Sequence, residues 1–402
     1  MKTWITIASA IFLVFPVSYS TPHFDATGRI GVLCIGDTSY GESPILGWLS
    51  LDFAVQWQEL PTDVGGVMTD EDAKKVTRIY TPRTLERLLQ TYDILLLLEP
   101  RMQWFGGREM KRFRDSIEAG VSTLLTLWPD DEGYLSLVNS DLADVYPQQF
   151  SPTFEAHDNL AYVVRVKEGN PPVLTPFLEV GVEKYTGKNT RPMHPKQGST
   201  IWAIATKSGS LGREEDEFII SWEYGTEESR NWVIGVDVDE QWFNLRAGND
   251  YGGDIVLNML YYSAGKRLPP NIQLIHGLRS SFYRYSLEKK LVFAIIEFVD
   301  KFGANTASLE DLIEEADGGR STAEELYLEG DYEGSYSKIK EMISAISELN
   351  QKAIEIKERA LLWVYITEWS VVSGTLTVGG FVLYSLMVRR RLYREVSVTR
   401  AR

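Results

Sequence analysis

Asp93 to Leu127 reads DILLLLEPRMQWFGGREMKRFRDSIEAGVSTLLTL. Its first six residues form a short apolar run that ends at Glu99-Pro100, the pattern of a strand buried on both faces. From Gly107 to Ala119, apolar residues recur at Met110, Phe113 and Ile117, the three- and four-residue steps of one helix face. Gly120 stops that helix. Val121 to Leu127 is the next apolar run, closing at Trp128-Pro129-Asp130. Strand, helix and strand in this order predict a parallel pair joined by a crossover helix.

The same grammar extends both ways. Upstream, Arg29 to Ile35 (RIGVLCI) is an apolar run ending in Gly36-Asp37-Thr38. Downstream, Trp232 to Val238 (WVIGVDV) is another, followed by a helix from Ile255 to Ser263 that Gly265 ends. Between them, Tyr162 to Val166, Thr200 to Ala205 and Phe218 to Trp222 are short alternating runs separated by loops, including Gly181 to Gly198. These are expected to extend the sheet at one edge in antiparallel fashion. The expected fold class is therefore α/β: a mostly parallel sheet flanked by helices, with added strands, over residues 21–268.

After Pro269-Pro270 the pattern turns helical, over 269–360. Phe282 to Phe302 is amphipathic and closed by Gly303. Ser308 opens a short acidic helix, and Ser321-Thr322-Ala323-Glu324 has the form of a capping box that would start another. Gly330 and Gly334 bracket a turn. From Tyr336, Ile339, Met342, Ile343, Ile346, Leu349, Ala353, Ile356 and Ala360 keep helical steps and need a partner surface. Two partners suit them: Phe282–Phe302 folded back antiparallel, or a second copy in a coiled coil.

Trp369 to Val388 (WSVVSGTLTVGGFVLYSLMV) is twenty residues without a formal charge. At 1.5 Å per residue that is about 30 Å, the thickness of a bilayer's hydrocarbon core. Trp363, Tyr365 and Trp369 suit a headgroup belt on one side, and Arg389, Arg390 and Arg391 close the other. Excess Lys/Arg marks the cytoplasmic flank, so residues 361–388 are expected to cross from outside to inside, leaving 389–402 as a basic cytoplasmic tail. A buried core helix is the plainer alternative. Ser373, Gly374, Thr377, Gly379 and Gly380 form a small-residue strip suited to helix packing. At the other end, Lys2, the apolar Trp4–Val17 and the small Ser18 and Ser20 fit a signal peptide over 1–20; an uncleaved anchor is the alternative. The expected partners are thus the lipid bilayer and a protein, or a second copy through stalk and span.

The chain has 402 residues and a formal charge of −15, unevenly placed. Residues 389–402 carry six arginines and one glutamate, a net of +5 that leaves −20 for the rest. That balance excludes nucleic acid as a partner, which needs a basic footprint. One cysteine, Cys34, rules out an intramolecular disulfide, and the four histidines show no metal-ligand spacing. No cofactor and no metal are expected.

Ligands of parallel α/β sheets bind outside the carboxyl ends of the strands. Those ends carry Asp37 and Thr38, Glu99 and Arg101, Trp128 and Asp130, and Asp237, Asp239 and Glu240, with Asn244 close behind. Carboxylates bordered by aromatics suit a small polar or sugar-like ligand or a cation; loops at strand ends are also polar for no functional reason. Gly36-Asp37-Thr38-Ser39-Tyr40-Gly41 is neither a GxGxxG nor a Walker A sequence, so nucleotide binding is not indicated. Cys34 lies inside a strand, where a thiol packs as a small hydrophobe.

Residues 28–265 resemble class I glutamine amidotransferase-like domains, in particular the inactive subset of prokaryotic surface proteins. The resemblance rests on Tyr92 to Leu98, on Glu109 to Leu125, and on Val233 to Asn258 with Asp237, Asn244, Asn249 and Asn258. It implies a flavodoxin/amidotransferase-like architecture. Active members place a cysteine on the turn after a central strand and a histidine after a late one. The matching turns here, Leu127-Trp128-Pro129 and Val238-Asp239-Glu240, hold neither, so the resemblance implies a catalytically silent domain. Ala360 to Arg394 resembles a tail shared by archaeal membrane-anchored proteins. The expected function is a single-pass, membrane-anchored binding module outside the cell; the alternatives are an accessory subunit of a membrane transport complex, or a surface hydrolase built on Asp37, Glu99, Asp237 or Asp239.

Overall fold

The computed structural model describes residues 28–38, 44–63, 69–127, 131–151, 162–167, 172–182, 186–187, 193–207, 215–236, 249–303 and 305–399. The expected leader at 1–20 lies outside them. The chain divides into two compact units, one ending at His276 and the other beginning at Gly277.

The first unit opens with β1 (Ile30–Asp37), α1 (Ile45–Ser50), β2 (Val55–Asp63), α2 (Asp70–Tyr80), α3 (Leu85–Thr91) and β3 (Ile94–Leu98). Then come α4 (Gly107–Glu118), β4 (Ser122–Thr126) and α5 (Asp131–Val138). Strands β5 (Tyr162–Val166), β6 (Thr186–Gly187), β7 (Thr200–Lys207), β8 (Glu215–Tyr224) and β9 (Ser229–Ile234) precede α6 (Gly252–Ser263). The described strands form one sheet in the order β2-β1-β3-β4-β9-β8-β7-β5-β6. Pairs from β2 to β9 are parallel and those from β9 to β6 antiparallel. The expected sheet, parallel with strands added antiparallel at one edge, is what the chain forms.

Alternation along the strands divides the core between two faces. On one face Leu33, Leu95, Leu97, Leu125 and Val233 pack with Leu88 of α3, Phe113 and Ile117 of α4, and Leu137 of α5. On the other, Trp232 donates its indole N–H to the Ser263 hydroxyl of α6 at 2.7 Å. There the Cβ-free Gly253 lets the Trp48 ring of α1 lie against α6. Two parts of this unit had no clear sequence signal. Among the described strands β2 lies at the edge, paired with β1, which is why it tolerates Pro61 and several polar residues. Helices α2 and α3 are short and mostly polar, and each is started by a threonine: Thr69 and Thr84 accept from the backbone N–H of Asp72 and Arg87.

In the second unit α7 (Ile272–Asp300) from Gly277 onward, α8 (Ala307–Glu329) and the beginning of α9 (Tyr332–Thr399) make a three-helix bundle. Ion pairing of Lys289 with Asp317 at 2.5 Å, the Tyr285 hydroxyl on Asp317 at 3.0 Å and Arg279 on Tyr327 at 3.3 Å run α7 and α8 antiparallel. The Ser335 hydroxyl on the Ala323 carbonyl, 2.6 Å, does the same for α8 and α9. Gly277 lies beside Tyr336, and Lys357 sits over the Phe298 ring. Helices α7 and α9 are therefore parallel, which corrects the expectation that Phe282–Phe302 is the antiparallel partner of the last helix. That role belongs to α8.

The break expected before Ser321 is also corrected. Helix α8 runs through Gly318-Gly319, and Ser321 and Thr322 bond back to the carbonyls of Asp317 and Gly318 instead of capping. Gly319 is there for contact: a Cβ would enter the sulfur of Met342 on α9. Only Gly330, at φ 86°, turns the chain; Gly334 lies inside α9, its N–H taken by the Asp331 carboxylate.

Helix α9 has 68 residues and a length of about 100 Å. Ile339, Ile346 and Ala353 are fully buried in the bundle, whereas Trp369, Leu376 and Phe381 are about 70% exposed (69%, 71% and 71%). One helix is thus long and apolar enough to cross a membrane. It also continues past Arg391 into the basic segment.

Candidate functional site at the carboxyl edge of the sheet

Gly36 and Leu98 are opposed in β1 and β3, so Asp37 and Glu99 leave neighbouring strands at one level, about one strand spacing (~5 Å) apart in backbone. Across the other side of β1, Asp37 is opposed to Asp63, the last residue of β2. The register thus brings Asp37, Asp63 and Glu99 to three adjacent strand ends. Thr38 follows Asp37 and is buried. Trp128, Asp130, Asp237, Asp239 and Asn244, the remaining expected site residues, lie outside the described residues.

The turn after β3 is held from both sides. Glu99 has φ 46°, in the left-handed region that residues with a Cβ seldom occupy. Its N–H donates to the Thr126 hydroxyl of β4 at 3.3 Å, and the N–H of Arg101 donates to the Thr62 hydroxyl of β2 at 3.2 Å. The Trp104 indole N–H donates to the Thr62 carbonyl at 3.0 Å. Thr62 and Thr126 are buried and so serve the turn, not the solvent. Beside it, α2 and the start of α4 border a cleft of about 530 Å³ lined by Lys74, Arg78, Trp104 and Glu109 among others. The Lys74 ammonium sits 4.6 Å from the centre of the Trp104 ring.

Adjacent carboxylates at strand ends repel unless a cation or hydrogen-bond donors come between them. Asp37 and Glu99 have partners within the chain, so what the register establishes is an edge bordered by acidic residues. Among the described residues no three His, Cys, Asp or Glu side chains gather to hold a metal ion.

One pairing had no sequence signal. His276 Nδ1 lies 2.7 Å from the buried Asp254 carboxylate of α6, 22 residues away, and its ring is 4.6 Å from that of Tyr251.

Cys34 lies within β1, opposed to Glu59 on β2 and Leu96 on β3, and is fully buried. Burial pushes its thiol far up, and the charge of Glu59 adds to the effect. Native protein is therefore expected to react with a thiol reagent at pH 8 at least ~10³-fold more slowly than the denatured chain, because only opening exposes the sulfur. Labelling at the denatured rate would place Cys34 elsewhere.

No family profile matches the chain, and no curated protein matches it. Among solved structures it is similar to a cytoplasmic protein from Salmonella typhimurium LT2, with a TM-score of 0.44 and 13% identity over 58% of this chain and 98% of that one. A second cytoplasmic protein from Salmonella typhimurium gives 0.45 and 12% over 58% and 99%. The glutaminase domain of a Trypanosoma brucei CTPS with bound acivicin gives 0.29 and 10% over 60% and 97%. These similarities are remote.

Proposed function

We propose that the chain is a membrane-anchored binding module. Its amidotransferase-like α/β unit lies outside the cytoplasm, binds a polar ligand or protein at the carboxyl edge of the sheet, and does not hydrolyse glutamine. The observation that carries the reading is α9: one helix whose beginning is packed in a bundle and whose continuation, Leu362 to Val388, is apolar and bare. An aqueous protein rarely exposes so large an apolar surface, and a bilayer covers it. The arginines at 389–391 support a cytoplasmic carboxyl end. The silent reading is supported by the buried, mid-strand position of Cys34, the only cysteine.

The test is purification of the tagged full-length chain from native membranes in mild detergent, beside the double variant Asp37→Ala, Glu99→Ala. A companion molecule is expected with the parent and reduced at least ~10-fold in the variant, the loss of about 1.4 kcal/mol of binding or more. Identical companions in both would remove the strand-edge site. Ammonia release from glutamine above a protein-free blank would remove the silent reading.

A further inference from the structure

Helices α7 and α9 are parallel and keep one register. Gly277 lies beside Tyr336, and 21 residues further along each helix Phe298 lies under the Lys357 ammonium. Four residues on, the same register brings Phe302, at the turn between α7 and α8, level with Leu361. The two segments share a cleft of about 590 Å³ lined by Phe302, Gly303, Arg359 and Trp363 among others. The end of the bundle thus coincides with the start of the bare part of α9. Ile346 and Ala353 are fully buried, whereas Leu362, Trp363 and Tyr365 are 58%, 69% and 58% exposed, and Phe302 is 44% exposed. From Ala360 to Trp369 only Thr367 and Glu368 interrupt an apolar and aromatic run, so no polar length of helix separates the bundle from the span.

We propose that the α7–α8 turn rests on the outer leaflet of the bilayer, with Phe302 and Trp363 set among the phospholipid headgroups. The proposal rests on the membrane-anchored reading, which puts Trp369 to Val388 in the hydrocarbon core. At 1.5 Å per residue, Trp363 then stands about 9 Å and Leu361 about 12 Å outside that core. The headgroup layer adds about 5–8 Å on each side. The rings of Phe302 and Trp363 are therefore within one side chain's length of it, at the depth where an aromatic belt forms.

Continuity selects lipid as the occupant. Helix α9 is unbroken from the bundle into the span, so the bilayer that surrounds it at Trp369 also meets what packs on it six to eight residues earlier. A second protein would have to displace lipid from that place. The exposed cations of this end, Lys301 and Arg359, are matched by the exposed Asp300 and Glu358. Contact therefore needs no anionic lipid, and neutral phosphatidylcholine is expected to serve. On this account the bundle stands directly on the membrane and not at the end of a free stalk.

The test uses the full chain in phosphatidylcholine vesicles, with a bimane fluorophore on one introduced cysteine; the buried Cys34 stays unlabelled. Phe302→Cys and Lys301→Cys put the probe at the turn. Glu325→Cys is the control, exposed on α8 near the opposite end of the bundle, where the Ser335 hydroxyl meets the Ala323 carbonyl about 40 Å along α9 from Leu361. Leu376→Cys reports the span. A lipid spin-labelled in its headgroup is expected to quench both turn probes at least ~3-fold more than the Glu325 probe, and a lipid labelled deep in its acyl chain to quench the Leu376 probe most. Circular dichroism spectra equal to that of the parent confirm the fold of each variant. Turn probes quenched no more than the control, because water or a second copy lies there, overturn the contact, and with Leu376 still quenched they overturn it alone. A Leu376 probe untouched by the deep label defeats the anchored reading, and does so alone if the turn probes still respond to the headgroup label.

Discussion

Gly36→Ala is expected to lower stability by about 4 kcal/mol or more, leaving little folded protein at 37 °C. Gly36 has φ +130°, a conformation nearly closed to residues with a Cβ. An added Cβ would also fall within the carbonyl oxygen of Leu98 on β3. Neither atom has room to give, because both are fixed by the paired backbones of β1 and β3. Relief requires β1 and β3 to part where they share the core, and that core supplies much of the 5–15 kcal/mol on which a domain of this kind stands. Gly47→Ala in α1 is the control: its Cβ meets nothing within 4 Å, and alanine there is expected to be neutral or to add up to about 1 kcal/mol. Urea denaturation of both variants decides the matter. A Gly36→Ala midpoint equal to that of the parent would mean that β1 does not approach β3 as described. The same glycine sets the direction in which Asp37 and Thr38 leave the sheet, so the stability defect and loss of the strand-edge site are expected together.

The parts of the fold that the sequence makes legible are those where burial is complete. Strand β3 is a continuous apolar run because both its faces are covered, β1 and β4 keep an apolar centre for the same reason, and α4 declares itself through Met110, Phe113 and Ile117. The late strand is legible only in part: β9 spans Ser229–Ile234 and so begins at the polar Ser229-Arg230-Asn231, ahead of the apolar run expected from Trp232. Strand β2 hides because an edge strand is covered on fewer sides and accepts Pro61. The continuity of α8 hides for a different reason. Gly318-Gly319 followed by Ser-Thr has the local form of a helix end and a fresh cap, but the tertiary contact of Gly319 with Met342 outweighs that preference. At the site, Asp37 and Glu99 can be named in advance, since a strand's last residue is recognisable wherever its apolar run stops. Thr62 and Thr126 cannot, because a buried hydroxyl at a strand end has no periodic signature; only the turn that it holds gives it a purpose. Asp254 and His276 meet through the return of the chain after α6, a long-range fact that no spacing contains.

Leu376→Arg combined with Leu383→Arg is expected to move the chain out of the alkali-resistant membrane pellet, into the supernatant or into aggregates. Each arginine at the middle of a span costs about 2.5–3.5 kcal/mol on insertion scales, and each lost leucine about 0.5 more, so the pair costs roughly 6–8 kcal/mol. That is enough to reverse an insertion equilibrium, whereas Leu376→Ala with Leu383→Ala is expected to leave the chain in the pellet. Both leucines are well exposed on α9, so the arginines remove no contact within the protein. The α/β unit and the bundle should therefore keep their unfolding transitions. Introducing arginine at Ile346 on the same helix should do the opposite: it would disrupt a fully buried core position and unfold the bundle while sparing the anchor. Parent protein recovered in the aqueous fraction, or double-arginine protein as resistant to alkali as the parent, would show that α9 is covered by protein and not by lipid. The two outcomes separate cleanly because α9 is buried at its beginning and exposed further on. Its hydrophobic residues near 346 are buried in the bundle, whereas Trp369, Leu376, Phe381 and Leu383 are exposed.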